Sequence, residues 1–117
     1  MGGSAASSVF NTANKNQVVV VGGSGPTASN ATITTPSISN SSFSVLAANP
    51  NRKGIVLYNN SNATIVMVAF AATASSSTFT FSLTAKSTYF MSSPIYLGAI
   101  SAIGSVISGT LMITELT

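Results

Sequence analysis

From residue 42 onward, apolar and polar residues alternate in short runs separated by turn formers. Phe43 and Val45 alternate with Ser42 and Ser44. Residues 54–59 (GIVLYN) carry Ile55, Val56, Leu57 and Tyr58. The cluster Asn59, Asn60, Ser61, Asn62 then marks a turn, and residues 63–70 (ATIVMVAF) form the next apolar run. The two runs predict an antiparallel hairpin. Residues 71–77 are a small-residue loop. Residues 78–83 alternate cleanly, with Phe79, Phe81 and Leu83 on one face and Thr78, Thr80 and Ser82 on the other. Lys86 and Ser87 sit in the turn before residues 88–91, where Tyr89 and Met91 share a face. Pro94 interrupts, and residues 96–101 and 109–116 predict the last two strands. In the final one Leu111 and Ile113 face one way while Met112, Thr114 and Leu116 face the other.

No window carries sustained helical periodicity with caps. Short strands spaced about ten residues apart predict an all-β protein, a compact β-sandwich or jelly-roll-like domain spanning residues 42–117. Residues 1–41 differ. They are rich in Gly, Ser, Asn and Thr, contain Pro26 and Pro36, and predict an extended N-terminal arm. Its apolar run is four consecutive valines, Val18, Val19, Val20 and Val21, ended by GGSGP. Four valines are strongly β-prone but cannot form a core alone. Their natural use is as an added strand on a sheet edge, of this domain or of a partner.

Several strands have two apolar faces: Val56 and Tyr58 as well as Ile55 and Leu57, Ile65 and Met67 as well as Val66 and Val68. Such strands require cover on both sides. A β-region this small, without disulfides, also has little core of its own. Both facts predict that copies of the chain, or a larger assembly, bury the second face, in a symmetric oligomer such as a trimer.

Composition narrows the chemistry. Of 117 residues only Lys15, Arg52, Lys53, Lys86 and Glu115 are charged, 4% in all and +3 net, and Asp, His, Cys and Trp are missing. Zinc, haem and iron–sulfur ligation, disulfides and thiol nucleophiles need Cys or His. A lone carboxylate cannot share acid and base work with a second one or build a divalent-ion cage. A Ser-His-Asp triad is impossible. Ser82 and Lys86 are four apart, but Lys86 falls in a turn, where a Ser–Lys dyad lacks its desolvated amine. Residues 22–27 (GGSGPT) lack the Lys of a phosphate-binding loop. The expectation is a protein that is not an enzyme and uses no cofactor or metal.

The basic pI near 9.7 rests on four cations and one anion. Nucleic-acid binding needs several cations on one patch, so no nucleic-acid partner is expected. Residues 96–113 are uncharged, but Gly98, Gly104, Gly109, Ser101, Ser105 and Ser108 suit two strands and a turn better than a lipid-spanning helix, so no membrane partner is expected and a small membrane protein is the last of the alternative readings. The opening MGGSAASSVF has neither the basic nor the apolar region of a secretory signal.

The most individual motif is Asn49-Pro50-Asn51-Arg52-Lys53-Gly54, a tight turn holding half of the cations. As a surface turn it offers Arg52 and Lys53 to an acidic partner, with Arg52 able to grip a carboxylate bidentately. Lys86 is a third candidate contact. Residues 49–62 (NPNRKGIVLYNNSN) resemble a group of small β-rich structural proteins of tailed bacteriophages, with an Arg-Lys-Gly step into an apolar strand and a Tyr-Asn-x-Ser turn. The Tyr89 strand, residues 98–103 and the closing Ile113-Thr114-Glu115-Leu116 fit the same layout, so the resemblance covers residues 45–117. It implies a virion component: a decoration (cement) protein on the capsid exterior, assembled in the host cytoplasm and bound to the major capsid protein, or else a fibre, neck or receptor-binding module. In the first case Val18, Val19, Val20, Val21, Arg52, Lys53 and Lys86 would meet the capsid.

Overall fold

The computed structural model describes residues 27–117. These form eight strands and no helix: β1 (Ala31–Thr34), β2 (Phe43–Leu46), β3 (Gly54–Asn60), β4 (Val66–Ala69), β5 (Phe81–Leu83), β6 (Thr88–Phe90), β7 (Ile100–Gly104) and β8 (Thr110–Leu116). They assort into two four-stranded sheets. The first has the order β1-β8-β3-β6 and the second β2-β7-β4-β5, with all pairs antiparallel.

The alternation read along the chain determines which side chains meet between the sheets. Ile55 and Leu57 of β3 and Leu111 and Ile113 of β8 point inward from the first sheet. Val66 and Val68 of β4, Leu83 of β5 and Ile100 and Ala102 of β7 answer from the second. Each fully buried aliphatic side chain contributes about 1.5–3 kcal/mol. One open side of the sandwich is closed by an aromatic ladder. Tyr96 stacks on Phe70 at 4.9 Å, Phe70 meets Phe81 edge-on at 6.1 Å, and Phe81 stacks on Tyr89 at 4.2 Å.

Several expectations change. β3 and β4 do not form a hairpin, because they belong to different sheets. Residues 61–65 carry the chain across the sandwich, and β3 pairs with β8 and β6. Only β4 and β5 pair with their neighbour in sequence, and every other connection crosses between the sheets. The strand expected at 96–101 begins at Ile100, since the carbonyls of Tyr96 and Gly98 are taken by a side chain rather than a neighbouring strand. Phe79 stays 41% exposed because the strand starts only at Phe81. The domain also begins before residue 42. β1 is the edge of the first sheet, and Ile38 is a core residue at 1% exposure, packed so closely that a side chain on Gly104 would strike it. Val18, Val19, Val20 and Val21 lie outside the described residues.

Candidate interaction surface

At each end of the sandwich one buried polar side chain ties the crossing connections together. At one end it is Arg52, 3% exposed. Its Nε donates to Glu115 Oε2 at 2.9 Å. Nη1 donates to the carbonyls of Tyr96 (2.7 Å) and Gly98 (2.9 Å), and Nη2 to that of Ala47 (2.7 Å). A guanidinium has five donors in a rigid fork, so it can hold two connections and a strand at once, where an ammonium could not. The Arg-Lys-Gly and Thr-Glu-Leu motifs, 63 residues apart between Arg52 and Glu115, therefore meet at this ion pair.

At the opposite end Asn59 is fully buried. Its Nδ2 donates to the carbonyls of Thr64 and Leu83, both at 2.8 Å, and its Oδ1 accepts from Ser61 Oγ at 2.7 Å. Thr64 Oγ1 donates in turn to the Ser108 carbonyl at 2.9 Å. Gly109, at φ 87°, lets the chain pass close over Ser61 where a side chain would collide. The buried Asn59 network explains why the polar run after β3 becomes a crossing rather than a hairpin turn.

These two networks separate the residues that had been grouped as partner contacts. Arg52, expected to meet an acidic partner, has its donors engaged within the fold and presents no free guanidinium. Lys53 is exposed beside it, with its backbone N–H donating to the Leu116 carbonyl at 2.7 Å. Lys86 is exposed at the other end, where its Nζ donates to Asn60 Oδ1 at 3.2 Å. Because β3 runs from one site to the other, Lys53 and Lys86 stand about 20 Å apart. No basic stripe forms among the described residues.

What the fold does bring together is apolar. Strand register places Ile33, Thr114, Val56 and Phe90 in one row across the outer face of the first sheet. Met112, Tyr58 and Thr88 form the next row, and Ala31 and Leu116 flank them beside Gly54. Phe90 is 71% exposed, Ile33 65% and Met112 38%. None of these positions is charged. Val56, Tyr58, Met112 and Leu116 were recognisable as a second apolar face, whereas Ile33 and Phe90 were not. Ile33 sits in a Thr-rich segment read as arm, and Phe90 was overshadowed by its inward neighbour Tyr89.

A smaller apolar site lies at the tip of the β7–β8 connection, where Val106 and Ile107 are exposed. Ile65 adjoins it through paired hydrogen bonds with Ser105. Among the described residues no three His, Cys, Asp or Glu side chains gather as metal ligands, and no helix is long and apolar enough to cross a membrane. Compared with known protein families, curated proteins and solved structures, the chain matches none.

Proposed function

We propose that this chain is a non-enzymatic structural protein of a tailed-phage virion, a decoration protein that binds the assembled capsid shell from outside and stabilises it. The observation that carries the reading is the outer face of the first sheet, an uncharged apolar surface with no cover from its own chain among the described residues. Exposed patches of this kind mark interaction sites. The strand order supports a finer statement of the fold, a jelly roll, to which the composition of the first residues adds an N-terminal arm. Eight strands divided 1-8-3-6 and 2-7-4-5 are what two interleaved Greek keys produce. That architecture is shared by capsid and lectin domains, so the fold alone assigns no activity. The resemblance of residues 45–117 to phage structural proteins supports a virion component.

The mechanism is contact area, repeated by the symmetry of the shell so that avidity replaces individual strength. Val18, Val19, Val20 and Val21 supply a β-prone segment to the major capsid protein. Lys53 lies at the end of the sandwich where β1 begins. Since Arg52 is engaged internally, docking depends little on salt, because apolar contact is not screened.

Quantitative mass spectrometry of purified particles tests the proposal. Copies on the scale of the major capsid protein are the expected result, and absence from the particle contradicts it. A few copies per particle transfer the chain to the second reading, a fibre, neck or receptor-binding module. The exposed Val106–Ile107 tip favours that reading, since it stands at the end of the sandwich opposite the start of β1.

A further inference from the structure

We infer that the open edge of β1 receives Val18, Val19, Val20 and Val21 of the same chain as a further antiparallel strand while the protein is unassembled. The inference rests on reading that run as the strand supplied to the capsid, and it names where the run is held before docking. Hydrogen-bond parity defines the edge. Thr117 N–H donates to the Asn30 carbonyl, Leu111 N–H to the Pro36 carbonyl and Ile38 N–H to the Gly109 carbonyl, all in the register of β1 on β8. In an antiparallel ladder every second residue turns its backbone groups to the partner, so Thr32 and Thr34 face β8. Ala31, Ile33 and Thr35 face the other way, where no described strand pairs with them.

Three observations select the valine run as the occupant. First, the edge carries none of the usual guards. Exposed edges are blunted by Lys, by inward charge or by Pro. Residues 30–38 hold no charge, and Pro36 turns its nitrogen towards β8, which leaves the open side unblocked. Second, β1 is the only described strand whose residues are all exposed. Thr32 and Thr34 on its inner side are as bare as Ala31 and Ile33 on its outer side. A neighbour with two apolar faces covers both, and alternate valines do so with β-branched side chains that pack well across strands. Third, the tether keeps the run close. Eight residues, 22–29, separate Val21 from Asn30 and reach about 26 Å when extended, against about 4.8 Å between adjacent strands. The stretch Gly22-Gly23-Ser24-Gly25 supplies the reversal. A short flexible tether holds a segment at an effective concentration of about a millimolar, which a strand from another molecule does not match in dilute solution. The pairing hides both the open edge and the valine run, either of which would otherwise recruit other chains.

Backbone amide exchange of the full chain, followed residue by residue with NMR, tests the pairing. The Ile33 N–H should exchange at least about tenfold slower than in an unstructured chain, equally in dilute and concentrated samples. The full-length variant Val19→Pro/Val20→Pro denies the pairing whichever valines face β1. In it Ile33 should return to the unstructured rate, while Thr32 and Thr34 stay protected by β8 and report that the fold is intact. An Ile33 amide that exchanges at the unstructured rate in the wild type overturns the inference. So does protection that survives the prolines or grows with concentration, since the strand then comes from elsewhere. Particle binding separates this from the functional proposal. A wild type with Ile33 unprotected that still occupies particles refutes the edge pairing alone, and one with Ile33 protected that is missing from particles refutes the virion reading alone.

Discussion

The two sheets share a core but treat their outer faces in opposite ways. On the second sheet Ala69 and Ser101 point outward and are nevertheless buried, because the loop between β4 and β5 lies over them. Ser101 Oγ donates to the Ala71 carbonyl at 2.9 Å, Ala74 N–H donates to Ser42 Oγ at 2.9 Å, and the loop closes through Phe70 N–H on Thr80 Oγ1 at 2.8 Å. Small residues make this cover possible, since a run of Ala and Ser can lie flat on a sheet and leave its hydroxyls to bond it there. On the first sheet the outward positions are larger and no described segment crosses them. The chain thus satisfies one sheet internally and leaves the other for association. The difference shows how a nearly uncharged protein can direct its stickiness to one face.

The contrast can be broken most severely at the joints between the sheets. Arg52→Ala removes the donors of three carbonyls and leaves the partly buried Glu115 carboxylate unpaired. Breaking a buried pair of this sort costs about 3–5 kcal/mol, enough to unfold a marginal domain. Urea denaturation should show both sheets lost together, and a change below about 1 kcal/mol would contradict the role given to Arg52. Asn59→Ala comes next, at roughly 2–3 kcal/mol by the same measurement, since two buried carbonyls lose their donor. Ser101→Ala acts on the cover alone. It should cost about 1 kcal/mol and speed protease cleavage within residues 71–77, without changing association. The smallest effect on stability belongs to the bare face. Phe90→Ser should move the denaturation midpoint within the scatter of exposed substitutions, about 0.5 kcal/mol, while lowering occupancy on particles.

Much of the fold was legible because the apolar alternation is local. β2, β3, β5, β6 and β8 stand where short alternating runs stand, and the faces of β8 divide as its sequence does. What was not legible depends on contacts distant in sequence. The run Asn59–Asn60–Ser61–Asn62 has the composition of a hairpin turn. The bond from Asn59 to Leu83, 24 residues on, belongs to the network that turns the chain to the other sheet instead. β1 is four exposed residues in a Thr-rich stretch, its alternation of Ala31 and Ile33 with Thr32 and Thr34 too short to announce a strand, and it becomes one by pairing with β8. Arg52 reads as a surface turn residue beside Lys53. A clue lay in the inventory: with Glu115 the sole carboxylate, an internal ion pair had only one acidic partner to choose. The second apolar face was visible in Val56, Tyr58 and Met112, but its full width required knowing that β1 and β6 lie at opposite edges of one sheet.

The central claim, that the first sheet's outer face is the docking surface proposed for the particle and the second sheet's is not, is tested most directly by methionine oxidation. Met112 lies on the first face and Met67 on the second, both pointing outward. Peroxide converts an accessible thioether to the sulfoxide, and mass spectrometry follows each site separately. On purified particles Met112 oxidation should slow relative to the free chain, while Met67 keeps its free-chain rate. Equal Met112 rates in the free chain and on particles, or protection at Met67 in its place, would contradict the account.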